Sequence, residues 1–132
     1  MIMTQTAFAA ASPRGFTLRQ LLGADAATCF VFGLLLVVGA APLAGLLGLP
    51  ETLLLYAGVA LFPCAGLMVL AARTLAKPLV GLVIAGNVAW IAGSVAVALR
   101  FEVTGLGIAF ITAQAAAVAA LVVLEWRASK PR

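Results

Sequence analysis

The chain has 132 residues, 65% of them hydrophobic and only 9% charged, and its mean hydropathy is +1.23. A water-soluble fold of that composition has almost no polar surface, so the chain reads as one small all-α polytopic membrane protein. It holds no histidine, which excludes imidazole-ligated haem, His-based zinc sites and every Ser/His or Cys/His catalytic arrangement.

Residues 1–16 are Ala-rich, begin without basic residues and have too weak an apolar core for a signal peptide. They are expected to form a mobile cytoplasmic tail. Thr17 and Gln20 have the spacing of a capping box, with Phe16 and Leu21 placed as its hydrophobic staple, so the first helix is expected over about 18–41. Pro42, Gly45, Gly48 and Pro50 punctuate a loop, and the second helix follows over about 51–72. Within it Pro63 lacks an N–H, leaves the carbonyl of Val59 without a helical partner and predicts a kink. Arg73 and Lys77 mark a short basic turn before the third helix, about 78–99. Arg100 and Glu102 form the next turn, the fourth helix covers about 104–126, and residues 127–132 are a basic cytoplasmic tail. Roughly 20 residues span a bilayer, so 17–126 is expected to form one antiparallel bundle of four membrane-spanning helices.

Seven basic residues (Arg14, Arg19, Arg73, Lys77, Arg127, Lys130 and Arg132) fall on the side holding both ends of the chain, against Arg100 alone on the other. This bias predicts a bacterial inner-membrane protein with both termini in the cytoplasm. It also accounts for the net charge of +4 without a nucleic-acid partner. Trp126 is placed at the cytoplasmic interface and Tyr56 near the opposite one.

In the third helix Gly81, Ala85, Ala89 and Gly93 form a stripe of small residues, with Asn87, Trp90 and Ser94 roughly opposite. An Ala-rich face of the fourth helix is expected to meet that stripe and make these two helices the closest pair. Asp25 lies about 12 Å along the first helix, where an unpaired carboxylate costs about 2.5 to 3.5 kcal/mol on insertion scales. It is therefore expected to face the interior, within reach of Asn87, Arg73, Lys77 or Arg127. Asp25, Asn87 and Gln114 form a candidate intramembrane polar site. Glu125 shares the face of Gln114 and is expected near the cytoplasmic surface. Cys29 and Cys64 have no CxxC spacing and read as small buried hydrophobes. No residue pattern calls for a metal, a cofactor or a catalytic group.

Asp25 in the first helix, the Gly48-Leu49-Pro50 turn, Asn87-Val88-Ala89-Trp90 and Gln114 together resemble the uncharacterised small four-helix inner-membrane proteins of GC-rich bacteria. The resemblance implies a fold and no reaction. Small multidrug-resistance exporters are similar in having four short helices and an acidic residue in the first, but theirs is a glutamate beside an aromatic-rich pocket. The expected function is non-enzymatic: a structural or accessory part in complex assembly, with the lipid bilayer, other membrane proteins or a second copy as partners. The alternative is a small proton- or cation-coupled transporter or channel using Asp25.

The orientation has a direct check. A C-terminal green fluorescent fusion should be bright and a C-terminal alkaline phosphatase fusion inactive; the reverse pattern overturns the assignment of the termini or the number of spans.

Overall fold

The computed structural model describes residues 17–130. The expected N-terminal tail, Arg14, the Phe16 half of the staple and Arg132 lie outside them. The described residues fold into five helices: α1 (Leu18–Val38), α2 (Ala40–Leu47), α3 (Glu51–Thr74), α4 (Lys77–Arg100) and α5 (Gly105–Ser129). Four of them, α1, α3, α4 and α5, are long and apolar enough to cross a membrane. Large apolar side chains such as Val31, Val59, Val95, Leu99 and Val123 are exposed along these four helices. An outward surface of that kind calls for lipid or protein against it.

The capping box forms: Thr17 N–H donates to Gln20 Oε1 at 3.0 Å and Gln20 N–H to Thr17 Oγ1 at 3.2 Å. Two of the orphan donors at the start of α1 are thereby satisfied. The segment after α1 departs from the expected loop. Gly39 closes α1 by donating to Leu35 O at 2.8 Å and at once opens α2. Pro42 is the third residue of α2, in the first turn, where no helical partner for its N–H is required, so it does not stop a helix there. Gly48 then ends α2 with φ 73°, a left-handed position that glycine adopts at no steric cost. Pro63 is accommodated inside α3, which runs unbroken from Glu51 to Thr74.

Side chains tie the ends of the helices together. Arg19 Nε–H donates to Ala72 O at 2.9 Å, which places a cation on the C-terminal carbonyls of α3. At the other end Thr104 caps α5 through Gly107 N–H at 3.0 Å. Thr104 also donates from its hydroxyl to Leu46 O at 2.7 Å and from its N–H to Leu47 O at 3.1 Å. The last carbonyls of α2 thus find their donors on the residue that starts α5.

The most extensive packing is between α1 and α3, not between α4 and α5 as the small-residue stripe led one to expect. Gly33 and Gly58 set that contact. A Cβ built on Gly58 would lie 2.9 Å from Leu36 Cβ, 2.9 Å from Val37 Cγ2 and 3.0 Å from Gly33 O. Absent side chains let the two backbones meet, as small residues do between apolar helices. Gly81, Ala85, Ala89 and Gly93 are exposed instead, and a Cβ on Gly81 or Gly93 would meet nothing within 4 Å. The sequence contains both sets of small residues. Spacing within one helix does not say which face meets a neighbour.

Gly58→Leu should therefore lower the thermal unfolding midpoint in detergent, with an overpacking cost of about 1–3 kcal/mol. Gly81→Leu should leave it within error. Equal effects from the two substitutions would show that the Gly33–Gly58 crossing does not set the packing.

Candidate functional site

Three polar side chains are buried together: Asp25 on α1, Asn87 on α4 and Glu125 on α5, with 2%, 6% and 0% of their surface exposed. The amide of Asn87 joins the two acids. Its Nδ2 donates to Asp25 Oδ2 at 2.7 Å and, over a longer 3.4 Å, to Glu125 Oε1. Cys29 lies one turn above Asp25 and directs its thiol toward Asp25 Oδ1 at 3.9 Å. Glu125 Oε2 is buried with no hydrogen-bond partner among the described residues.

Helix geometry explains why these groups meet. Asp25 is eight residues past the cap of α1 and Asn87 ten past the start of α4, which puts them about 12 and 15 Å along their helices. α1 and α4 come within 8 Å of one another at no pair of Cα atoms among the described residues, so side chains must bridge the gap between them. The acid–amide pair does so through its shortest contact. Arg73, Lys77 and Arg127 are all exposed, so none of the expected basic partners of Asp25 turns inward.

Of the expected site residues, Asp25 and Asn87 come together, and Gln114 does not join them. Gln114 Oε1 accepts from Trp90 Nε1–H at 2.7 Å, and Gln114 Nε2 donates to Ser94 Oγ at 2.9 Å and to Ile111 O at 2.9 Å. This is a second polar group, separate from the first. Glu125 takes the place given to Gln114. Glu125, expected near the cytoplasmic surface, is fully buried. α5 continues to Ser129, so Glu125 sits a full turn inside it. Its spacing of eleven residues from Gln114, close to three whole turns, was the available signal that it faces inward. Cys29 is buried as expected; Cys64, next to Pro63, is exposed.

A cavity of about 390 Å³ lies among α1, α3, α4 and α5, toward the 48–50 and 101–104 connections. Phe32, Leu54, Gly86, Gly93, Phe110 and Gln114 are among its lining residues; Asp25, Asn87 and Glu125 are not. Phe32 packs edge-on to Trp90 at 6.4 Å between centroids and against Phe110 at 5.6 Å, which carries the aromatic wall from α1 to α4 and α5. Trp126, at the other end of the molecule, lies under Lys130 with Nζ 3.6 Å from the ring centroid.

No known family model, characterised protein or solved structure matches the chain. Its class rests on its own residues: an all-α protein with four helices long and apolar enough to cross a membrane by length and composition.

Removing the shared donor tests the triad. Asn87→Leu leaves two buried carboxyl groups without it and should cost about 1–3 kcal/mol for each group stranded, read as a lower unfolding midpoint in detergent. The pair Asp25→Asn with Glu125→Gln keeps hydrogen-bonding capacity without the acids and should unfold at or above the native midpoint. A native midpoint for Asn87→Leu would mean that this amide does not hold α1 to α4.

Proposed function

We propose that the chain is a small protein of the bacterial inner membrane, an antiparallel bundle of four membrane-spanning helices with both termini in the cytoplasm. In this reading it has a structural or accessory role in complex assembly and carries out no reaction. The observation that carries it is the isolation of the polar triad. Asp25, Asn87 and Glu125 are almost fully buried and none of them lines the cavity. Buried amides and carboxyls between membrane helices commonly act as glue worth about 0.6 to 2 kcal/mol, and here they hold three helices in register. The exposed apolar faces leave room for lipid, for other membrane proteins or for a second copy as neighbours.

A second reading, a proton- or cation-coupled transporter or channel using Asp25, is favoured by one feature. Glu125 adds a second carboxyl to the site, and its Oε2 has no partner among the described residues. Groups of this kind inside membranes often mark ion pathways. Proteoliposomes separate the two readings. With the triad as a structural clamp, a pH gradient or a sodium or potassium gradient drives no flux through the native protein, and Asp25→Asn changes nothing. A native flux that Asp25→Asn abolishes, in a variant that still folds, overturns the structural reading.

A further inference from the structure

The cavity among α1, α3, α4 and α5 has walls of Leu, Ala, Gly, Val and aromatic side chains, with one polar corner at Trp90, Ser94 and Gln114. That corner is satisfied internally. Both hydrogens of Gln114 Nε2 are used, its Oε1 holds the indole N–H, and the Ser94 hydroxyl donates to Trp90 O at 2.8 Å. No donor is left to anchor water, only the second lone pairs of Gln114 Oε1 and Ser94 Oγ remain as acceptors, and walls this apolar give water few partners. Gly86, Ala89 and Gly93 line the cavity and are exposed in the isolated chain, so its α4 side opens outward onto the apolar surface of the helices. In the proposed membrane orientation that opening faces acyl chains.

Size distinguishes the occupants. An α-helix about 10–12 Å across takes roughly 120 Å³ or more per residue, so 390 Å³ admits less than one turn and excludes a helix of a second copy. At about 30 Å³ per methylene, close to the volume of a water, the cavity of 390 Å³ holds roughly a dozen carbons. Gly86 to Val97 spans about 16 Å of helix, close to half of a hydrocarbon core about 30 Å thick. These dimensions fit one acyl chain in one leaflet.

Among the lining positions of α4, Gly86, Trp90, Gly93 and Val97 alternate at three and four residues, and the next step of that pattern is Arg100. Arg100 is exposed at the end of α4 and is the one basic residue at this end of the molecule among those described. Glu51 and Glu102 are exposed at the same end and leave it without a net positive field. Any recognition there is of a phosphate by the guanidinium, not a general attraction to anionic surface.

We propose that this cavity is a binding site for a glycerophospholipid of the leaflet opposite the termini, with one acyl chain between α3 and α4 and the phosphate at Arg100. The proposal rests on the membrane reading above. Its test uses the full chain carrying Trp126→Phe, so that Trp90 is the only tryptophan, in vesicles containing either brominated phosphatidylglycerol or a brominated uncharged galactolipid. Both should quench Trp90. Gly93→Leu, at a cavity-lining position where an added Cβ meets nothing within 4 Å, should fill the opening and remove most of the quenching by either lipid. Arg100→Gln should keep the quenching but lose about fivefold of the preference for the phospholipid over the galactolipid. Flotation of each protein with the vesicles at alkaline pH reports insertion separately. A chain that fails to float overturns the membrane reading together with the site. A chain that floats but is quenched equally with and without Gly93→Leu, or shows no lipid preference that depends on Arg100, overturns the lipid site alone.

Discussion

Among the described residues the Nδ2 atom of Asn87 is the one donor hydrogen-bonded to both buried acids, and the placing of α4 against α1 and α5 depends on it. α1 and α4 stand across the molecule from each other without backbone contact, so the 2.7 Å bond from Asn87 to Asp25 spans a distance that apolar packing leaves open. The bond to Glu125 adds α5 to the same point. Two carboxyl groups beside each other in apolar surroundings are costly unless they are neutralised, paired or hydrogen-bonded. The basic side chains nearest in sequence stay exposed, so an amide, not a cation, supplies the hydrogen bonds.

The rest of the fold divides into two helix pairs fastened at their ends. α1 and α3 zip together where Gly33 meets Gly58, and Arg19 fixes the open end of that pair by capping Ala72 O. α4 and α5 make a second pair, pinned to α2 by the two hydrogen bonds that Thr104 donates to Leu46 O and Leu47 O. The polar triad joins the pairs at one end. Toward the other end no side-chain hydrogen bond crosses between the pairs among the described residues; the Trp90–Gln114–Ser94 group links α4 to α5 within its own pair. The cavity follows from this asymmetry. It lies where the two pairs are neither drawn together by glycine contacts nor bridged by a buried amide.

Much of this was legible in the sequence, for reasons that can be named. Runs of apolar residues gave the four long helices, since their length and hydropathy need no knowledge of contacts. The Thr17–Gln20 cap was legible because it is local: both of its hydrogen bonds lie within three residues. The inward direction of Asp25 followed from the cost of exposing a carboxyl to lipid, and Asn87 was among its few reachable partners. The rest depended on which faces meet. The stripe at Gly81 and Gly93 and the pair Gly33 and Gly58 look alike as small residues on apolar helices, and only the three-dimensional crossing distinguishes them. The spacing of Glu125 from Gln114 put both on one face of α5, but that Glu125 would meet Asn87 depends on how α5 sits against α4. α2 is hidden in the sequence because Pro42, Gly45, Gly48 and Pro50 read as a loop, although a proline in a first turn breaks no helical hydrogen bond.

The spacing of polar groups along α5 bears on what the interior can conduct. Between Gln114 and Glu125 the helix carries only Ala, Val and Leu, a stretch of about 16 Å without a side-chain donor or acceptor. On α4, Asn87 and Trp90 are one turn apart, but their hydrogens are already committed, those of Asn87 to the two acids and that of Trp90 to Gln114. A relay needs a group at each step that can both receive and pass on a proton or replace water around an ion. Here the two polar groups are separated by an apolar layer, and the buried side-chain atom left without a partner among the described residues, Glu125 Oε2, lies in the triad and away from the cavity. Such an interior suits a clamp at one end and a dry, lipid-accessible space at the other. A continuous path would require water to enter along walls whose free side-chain hydrogen-bonding capacity is limited to the acceptors at Gln114 and Ser94.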